Sequence, residues 1–257
     1  MDNKKDEELF KNRLLELSEK SFRQNIYTFT DFLTMDQLSI ASSMPQLRGA
    51  GVTAWGGAEI CARKMLRFGD EEAFGYAVPF PIDIIKISPL NSKFADELSH
   101  RDFLGAVMNL GLKRPVIGDI LVKDECAYLF AEQQVTKFIQ ESLCTVRHTS
   151  VSCAVINSDD TDELLNIDPK YDRKTLTVAS LRLDAVIAGV YNLSRTAAAD
   201  TIRLQNVYIN QRMTDNQAAS VKVGDIISVR GRGRFVLAEE GHVTRKGRLS
   251  ITVDRYV

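Results

Sequence analysis

The sequence predicts an α+β fold made of more than one domain, and three observations support this. The chain has 257 residues, 44% hydrophobic and 26% charged, which is enough for two or three domains with sizeable cores. From residue 76 onward, segments of helical periodicity alternate with segments of period two. Residues 181–257 contain twelve Lys and Arg against seven Asp and Glu, a balance of +5, which leaves −6 for residues 1–180 of a chain whose net charge is −1. A basic end on an acidic body favours contact with a polyanion, and an uneven but merely solvated surface is the alternative.

The N-terminal segment, residues 1–75, is predicted to be helical and mixed. Residues 6–24 place Leu9, Phe10, Leu14 and Leu17 on one helical stripe with charges opposite. Thr34 and Gln37 have the spacing of a capping box, which predicts a second, short helix. Residues 51–69, GVTAWGGAEICARKMLRFG, predict a short strand, a Gly-Gly turn and a helix that ends at its last glycine.

The middle domain, residues 76–156, has the order strand, helix, strand, strand, helix, strand. The segments are FPIDIIKIS, SHRDFLGAVMNLG, VIGDILVKDECAYLFAEQ (two strands), EQQVTKFIQESL and TVRHTSVSCAVI. This order is that of a ferredoxin-like, or RRM-like, sandwich. An RRM stacks bases on aromatic side chains of its central strands, whereas these strands carry Ile, Val and one Tyr–Phe pair. We therefore predict that this sheet is not a base-stacking platform.

Residues 157–175 are predicted to be an acidic linker, because residues 157–174 contain six acids, three bases and a proline. Beyond it, residues 176–257 form the basic C-terminal domain, which ends in a β-hairpin. Its most informative part is a short Ala-rich helix. Ser194 is a good N-cap, and Arg195, Ala199 and Arg203 lie on one helical face. The small alanine lets a phosphate backbone approach between two cations, near a helix N-terminus that already favours anions. Two arginines that only solubilise an exposed face are the alternative.

Several classes of protein are excluded by composition. No stretch approaches the roughly 18 apolar residues of a membrane helix, and MDNKKDEELF lacks the apolar core of a signal peptide. The four cysteines form no C-x-x-C pair, so buried reduced thiols are favoured over a metal site or disulfides. We expect a cytoplasmic protein that does not contact a membrane.

The stretch from residue 182 to 230 resembles the S-four RNA-binding module, also called the alpha-L motif. The matching residues are Arg182-Leu183-Asp184, Ser194-Arg195, Ile202, Val207-Tyr208-Ile209-Asn210, Val223-Gly224-Asp225-Ile226 and Val229-Arg230. Gln205 and Gln211 stand where the family has glycine, which predicts altered turns there. Together with the Ala-rich helix, the resemblance predicts RNA contacts from Arg182, Ser194, Arg195, Arg203, Asn210, Arg212, Lys222, Arg230, Arg232 and Arg234.

Most of the chain resembles the YlmH family. The resemblance lies in TDFLTMDQ, GGAEICARK, HRDFLGAVMNLGLKR, IGDILV, VRHTSV and KGRLSITV. It implies a bacterial cytoplasmic RNA-binding protein without known catalysis, with an S-four domain at the C-terminal end of an α/β body. The implied partners are structured RNA, namely rRNA and peptidyl-tRNA, and the large ribosomal subunit, in rescue or quality control of stalled ribosomes. We expect a monomer.

The triplet His100-Arg101-Asp102 resembles the start of a kinase catalytic loop. The next asparagine is seven residues after the aspartate rather than five, and no D-F-G or Gly-rich phosphate loop occurs, which excludes a kinase. Ser99 and Asp102 have the spacing of a capping box. His100 and Arg101, with Arg114, are left as predicted contacts to RNA or a partner.

An enzyme is not expected. The R-L-D at residues 182–184 imitates a pseudouridine synthase motif, but fewer than 80 residues follow it, too few for that catalytic domain. The three histidines have neither metal-ligand spacing nor a companion nucleophile, so no cofactor or metal is expected. Two other hypotheses stay open: an RNA-modifying enzyme with its chemistry in residues 48–156, and a septum-associated interaction protein.

Overall fold

The computed structural model describes residues 2–48, 51–91, 96–156, 171–244 and 247–256. The α+β class is confirmed, since helices and antiparallel sheets occur throughout. The chain divides into two compact units, Met1–Asp168 (unit 1) and Pro169–Val257 (unit 2). The predicted subdivision of the first unit near residue 75 stays a prediction.

The first part of unit 1 combines three helices with a small antiparallel sheet of order β1-β3-β2. The elements are α1 (Asp2–Gln24), β1 (Thr28–Phe29), α2 (Met35–Ser43), β2 (Val52–Trp55), β3 (Met65–Phe68) and α3 (Glu71–Phe74). The predicted capping box is present at α2, where the Gln37 backbone N–H donates to the Thr34 hydroxyl at 3.3 Å and the Thr34 N–H donates to the Gln37 side chain at 2.9 Å. Leu14 and Leu38 contribute to the core beneath these elements.

The helix predicted at the end of residues 51–69 is wrong. Met65–Phe68 is strand β3, which pairs with both β1 and β2. Its Met65 and Phe68 side chains are fully buried, and Arg67 lies over the rings of Tyr27 and Phe80. Pairing with the distant β1 and with β2, together with this packing, overrides the local helical periodicity.

The second part of unit 1 contains the predicted order of strands and helices. The elements are β4 (Ile82–Pro89), α4 (His100–Asn109), β5 (Ile117–Lys123), β6 (Cys126–Glu132), α5 (Gln133–Ser142), β7 (Thr145–Val146) and β8 (Thr149–Val155). They form an antiparallel sheet of order β5-β6-β4-β8-β7. The last predicted strand is in fact a hairpin of β7 and β8.

Both faces of this sheet are covered. Ala127, Leu129 and Ala131 of β6 pack in the core that includes residues of α4 and α5. Tyr128 and Phe130 point to the other face, where they pack against the N-terminal segment and are 3% and 0% exposed. The one Tyr–Phe pair therefore cannot stack bases, in agreement with the sequence prediction.

The described residues of unit 2 form a six-stranded antiparallel sheet with two short helices. Its elements are β9 (Tyr171–Val178), α6 (Leu183–Tyr191), α7 (Arg195–Arg203), β10 (Val207–Ile209), β11 (Arg212–Met213), β12 (Ile226–Val229), β13 (Gly233–Val243) and β14 (Leu249–Tyr256). The sheet order is β11-β10-β12-β13-β14-β9, and the predicted terminal hairpin is formed by β13 and β14.

The linker predicted over residues 157–175 needs a correction at its end. Residues 171–175 begin strand β9, which pairs with β14 from Tyr171↔Tyr256 to Val178↔Leu249. The local excess of charge hid this strand, because its side chains are mostly solvent-facing while its backbone completes the sheet. The remainder of the predicted linker, residues 157–170, lies outside the described residues.

The two turns that lack the expected glycines keep a left-handed backbone. Gln205 and Gln211 have φ of 58° and 68°. Asn210 and Gln211, the two residues between the paired Ile209 and Arg212, both have positive φ, as a type I′ hairpin turn requires. The predicted alteration of these turns is therefore not seen in φ, and glutamine adopts a conformation that glycine reaches more easily.

Candidate functional site

Two arginines of unit 2 converge on one buried carboxylate. The Nε and Nη2 of Arg182 each donate to Asp184 at 3.2 Å, and the Nη2 of Arg195 donates to Asp184 Oδ2 at 2.8 Å. The Asp184 side chain is 8% exposed, whereas those of Arg182 and Arg195 are 46% and 55% exposed. We call these three residues the arginine–aspartate cluster.

The helix ends place the members of this cluster. Arg182 is the N-cap residue of α6, so Asp184 lies in the first turn, and its N–H donates to the Gln217 carbonyl at 3.2 Å. Arg195 is the first residue of α7, as predicted, because the Ser194 hydroxyl accepts the Ala197 N–H at 3.1 Å. Two adjacent helix starts thus bring both guanidinium groups to one carboxylate.

The charges in the cluster reinforce each other. Burial alone would raise the pKa of Asp184, but the hydrogen bonds and charges of Arg182 and Arg195 outweigh it and hold that pKa below its ordinary value. In return, the hydrogen bond to Asp184 raises the pKa of Arg182. The cluster keeps a net charge of +1, with guanidinium groups that are fixed on one side and exposed on the other. Such groups suit a phosphate, because little side-chain freedom is left to lose on binding.

The interpretation of Arg195 and Arg203 as two open cations flanking Ala199 needs revision. Arg195 is held by Asp184, and Arg203 donates to Asp200 at 2.8 Å within α7. That second pair is solvent-exposed, with side chains 71% and 49% exposed, and an exposed pair of this kind contributes little stability. The predicted RNA contacts of Arg195 and Arg203 stay predictions, with Arg195 the better oriented.

The other residues predicted in unit 2 fall into two groups. Asn210 stabilises a turn: its Nδ2 donates to Asp225 at 2.8 Å and its Oδ1 accepts the Ile226 N–H at 2.9 Å. The basic residues are all at least partly exposed, and they are Arg212, Lys222, Arg230, Arg232 and Arg234. Among them, the Arg234 guanidinium lies 5.0 Å from the ring centroid of Tyr256.

The residues predicted in the middle domain have different surroundings, and their predicted contacts to RNA or a partner stay predictions. His100 and Arg101 are exposed in the first turn of α4, where the Asp102 carboxylate accepts hydrogen bonds from Ser99 N–H at 2.9 Å and its hydroxyl at 2.6 Å.

Arg114 is built into the fold. Its guanidinium donates to the carbonyls of Ile117 and Gly118, and the neighbouring Arg63 donates to those of Phe32 and Ile117. Burial and then the charge of Arg114 lower the pKa of Arg63 to about 10. Arg63, which the sequence analysis did not single out, thus links the N-terminal segment to the loop before β5.

Over the part of the chain that the structure describes, no group of three or more His, Cys, Asp or Glu is placed to hold a metal ion. No helix there is long and apolar enough to cross a membrane.

Comparison with known proteins identifies the family. Residues 77–160 match the family model described as "Putative RNA-binding domain in YlmH". The "Ribosome-associated protein quality control protein P2" of Bacillus subtilis (strain 168) is 30% identical over 257 residues, covering 98% of this chain and 96% of that protein. The chain belongs to the YlmH family. A solved structure, the cell division protein ylmH from Streptococcus pneumoniae, is 21% identical with a TM-score of 0.45, and the match covers 59% of this chain and 92% of that one.

In this YlmH family member, the matched RNA-binding domain and the arginine–aspartate cluster lie in different units. Arg182-Leu183-Asp184 is recognisable in the sequence as a motif, but the motif alone predicts no role for Asp184. The sequence feature that could have identified Asp184 is its position: it is an acidic residue two positions after an arginine, in the first turn of a strongly apolar helix. Such an acid is buried with the helix and needs a cationic partner.

Proposed function

We propose that the protein is a noncatalytic RNA-binding factor that associates with the large ribosomal subunit in rescue or quality control of stalled ribosomes. The observation that supports this best is the arginine–aspartate cluster, which presents two oriented guanidinium groups on unit 2. The matched RNA-binding domain and the ribosome-associated relative support the same conclusion. With ribosomes as its partner, the protein would act in the cytoplasm, as a monomer.

The physical argument concerns structured RNA. Double-helical RNA has a major groove too narrow for side chains, so proteins recognise it by shape and by contacts to phosphate and 2′-hydroxyl groups. Guanidinium groups fixed by a buried carboxylate can meet phosphates at defined spacing. We extend the proposal to rRNA and peptidyl-tRNA, both of which present such helices.

The test is neutralisation of the cluster in the full chain. Arg182→Gln/Arg195→Gln should lower the affinity for large ribosomal subunits, measured by sedimentation, and for a structured RNA hairpin, measured by anisotropy. Two lost phosphate contacts should reduce the slope of log affinity against log salt by about 2. Each lost charge-assisted contact is worth about 1.5–3 kcal/mol, or about tenfold or more in affinity.

The matched control is Arg13→Gln/Lys137→Gln, which removes the same charge from exposed positions on α1 and α5. It should keep the wild-type affinity and salt slope. Equal losses in both double variants would mean that only net charge matters, and the cluster would not be the binding site. A chemically altered RNA product after incubation with the protein would contradict the noncatalytic part of the proposal.

A further inference from the structure

Unit 2 contains a groove of about 740 Å³ at the C-terminal end of α6. Its walls are the last turn of α6, the strands β9 and β14, and the turn between β12 and β13. The arginine–aspartate cluster lies at the first turn of the same helix. A nine-residue helix is roughly 12 Å long, so one phosphate cannot touch both places.

Two arginines and a tyrosine with a buried hydroxyl are among the lining residues of this groove. The Tyr191 hydroxyl is buried and has no hydrogen-bond partner among the described residues. The Arg255 guanidinium lies over the Tyr191 ring, with its central carbon 5.4 Å from the ring centroid. Arg232 stands on the adjoining turn, and both arginines are close enough for their charges to act on the tyrosine. A buried hydroxyl without a partner is destabilising, so a ligand that accepts its hydrogen bond would be favoured.

The charge of the groove is positive. Its lining contains four basic side chains and no acidic one. Two of the four are neutralised, because Arg173 makes two hydrogen bonds of 2.7 Å to Asp254 and Lys174 lies 2.7 Å from Asp172. Within the described part of the chain, no ion pair or side-chain hydrogen bond is formed by the other two, Arg232 and Arg255.

The C-terminal end of α6 disfavours the binding of an anion, but this effect is weak. A helix C-terminus carries about half a negative charge, whereas the two guanidinium groups carry two full positive charges. Burial raises the pKa of Tyr191 to about 12, with the charges of Arg255 and Arg232 acting in the opposite direction. The hydroxyl therefore stays protonated at neutral pH and can donate a hydrogen bond.

We propose that this groove binds a phosphate group, held by Arg232 and Arg255 and, once the side chains that cover it move, by the Tyr191 hydroxyl, at a site separate from the arginine–aspartate cluster. The phosphate belongs either to an RNA backbone or to a free nucleotide. For the RNA source, the proposal rests on the proposed function. If the phosphate belongs to a free nucleotide, the groove proposal does not depend on the proposed function.

The test is a titration of the full-length protein with inorganic phosphate, adenosine monophosphate and a structured RNA hairpin, in which binding is followed by amide chemical shifts. We expect the shifts of Tyr191, Arg232 and Arg255 to move with phosphate and with adenosine monophosphate. Arg232→Gln should weaken that binding about tenfold, as loss of a charge-assisted contact predicts, and Tyr191→Phe about two- to tenfold. Lys137→Gln, a charge change on the exposed face of α5, should not weaken it.

Tyr191→Phe also separates binding from packing. It removes only an oxygen that has no partner, so the melting temperature should not fall, whereas phosphate binding should. Weaker RNA binding in the groove variants assigns the phosphate to RNA, and unchanged RNA binding assigns it to a nucleotide.

Failure of the proposed function would be seen separately, as wild-type protein that binds no structured RNA while adenosine monophosphate still moves the groove resonances. If none of the three probes moves these resonances, the groove proposal is wrong, whatever the cluster variants do.

Discussion

Replacing Asp184 with asparagine separates the effect of charge from the effect of geometry at the arginine–aspartate cluster. In the wild type, three N–H donors of Arg182 and Arg195 share two carboxylate oxygens. Asparagine offers one acceptor oxygen, and its amide NH₂ is itself a donor. At least one guanidinium N–H then loses its acceptor and faces another donor. The net charge of unit 2 rises by one at the same time.

The expected loss of stability follows from these contacts. A hydrogen bond to a charged group contributes about 1.5–3 kcal/mol. Arg182 and Arg195 are about half-exposed and can turn toward water, so the lower end applies, about 1.5–2 kcal/mol. For a unit of this size, 1 kcal/mol corresponds to a shift of about 4–8 °C, so the melting temperature should fall by roughly 6–16 °C. Differential scanning calorimetry of the full chain measures this.

The expected loss of RNA affinity has another cause. Ordering a long side chain on binding costs about 0.5–1.5 kcal/mol, and two arginines would lose their fixed orientation. Asp184→Asn should thus weaken binding to a structured RNA hairpin by roughly 5- to 100-fold at constant salt, although the added positive charge alone would strengthen it. Anisotropy in the cold, where the variant is folded, measures this.

Asp200→Asn is the matched control for Asp184→Asn. It makes the same charge change and releases Arg203 from an exposed pair on α7. Its melting temperature should change little, because exposed pairs contribute about 0–1 kcal/mol, and its RNA affinity should stay equal or rise slightly. If Asp184→Asn binds RNA as tightly as Asp200→Asn does, the buried carboxylate does not orient the arginines for RNA, and the reasoning fails.

Two further predictions concern stability. Gln211→Gly should stabilise unit 2 by about 0.5–1 kcal/mol, because glycine has no side chain to strain at the positive φ of this position. Gln211→Ala should give no gain in stability. Equal stability of the alanine and glycine variants in calorimetry would contradict this prediction. The last prediction concerns Asp184 and Asp254, whose pKa values lie below the ordinary value. For Asp184, burial raises the pKa, but the hydrogen bonds and charges of Arg182 and Arg195 outweigh it. For Asp254, the hydrogen bond with Arg173 is the main cause. Their stabilising contribution is therefore complete above the unfolded pKa of about 4 and is lost as the pH falls through the folded values. Urea unfolding between about pH 5 and 2 should show this loss, and Arg173→Gln should make the decline shallower; an unchanged pH profile in that variant would argue against a role for the pair.

The sequence predicted those elements whose stability is mainly local. The capping box of α2, the cap and length of α7 and the turn between β5 and β6 depend on residues within a few positions of each other. Strand β3 and the start of β9 could not be predicted in this way. Each is stabilised by pairing with strands far along the chain, and their local patterns favour a helix and a linker. A propensity read over a short window cannot register such long-range partners.

The sequence singled out Arg182 and Arg195 of the arginine–aspartate cluster but neither Asp184 nor the arrangement of the three residues. Helical spacing placed Arg195 and Arg203 on one face, which remains true of α7. It could not show that Arg195 is held by Asp184 from α6, because that contact joins two helices. Asp184 therefore looked like part of a motif rather than the residue that orients two arginines.

The ion pairs of unit 2 show that the net charge of residues 181–257 overstates how many cationic groups are free to bind a ligand. A balance of +5 suggests a broadly cationic surface, yet several arginines of unit 2 already face carboxylates within the unit. Among the described residues of unit 2, two guanidinium groups share the one carboxylate of Asp184, and the groove at the end of α6 is lined by Arg232 and Arg255, which form no ion pair. A ligand with evenly spread charge would bind weakly at the arginine–aspartate cluster and at the groove. A folded RNA presents phosphates at fixed separations, so it would be able to contact both sites. Under the proposed function, the arrangement of these guanidinium groups, rather than the net charge, would let the protein distinguish a structured RNA from other polyanions.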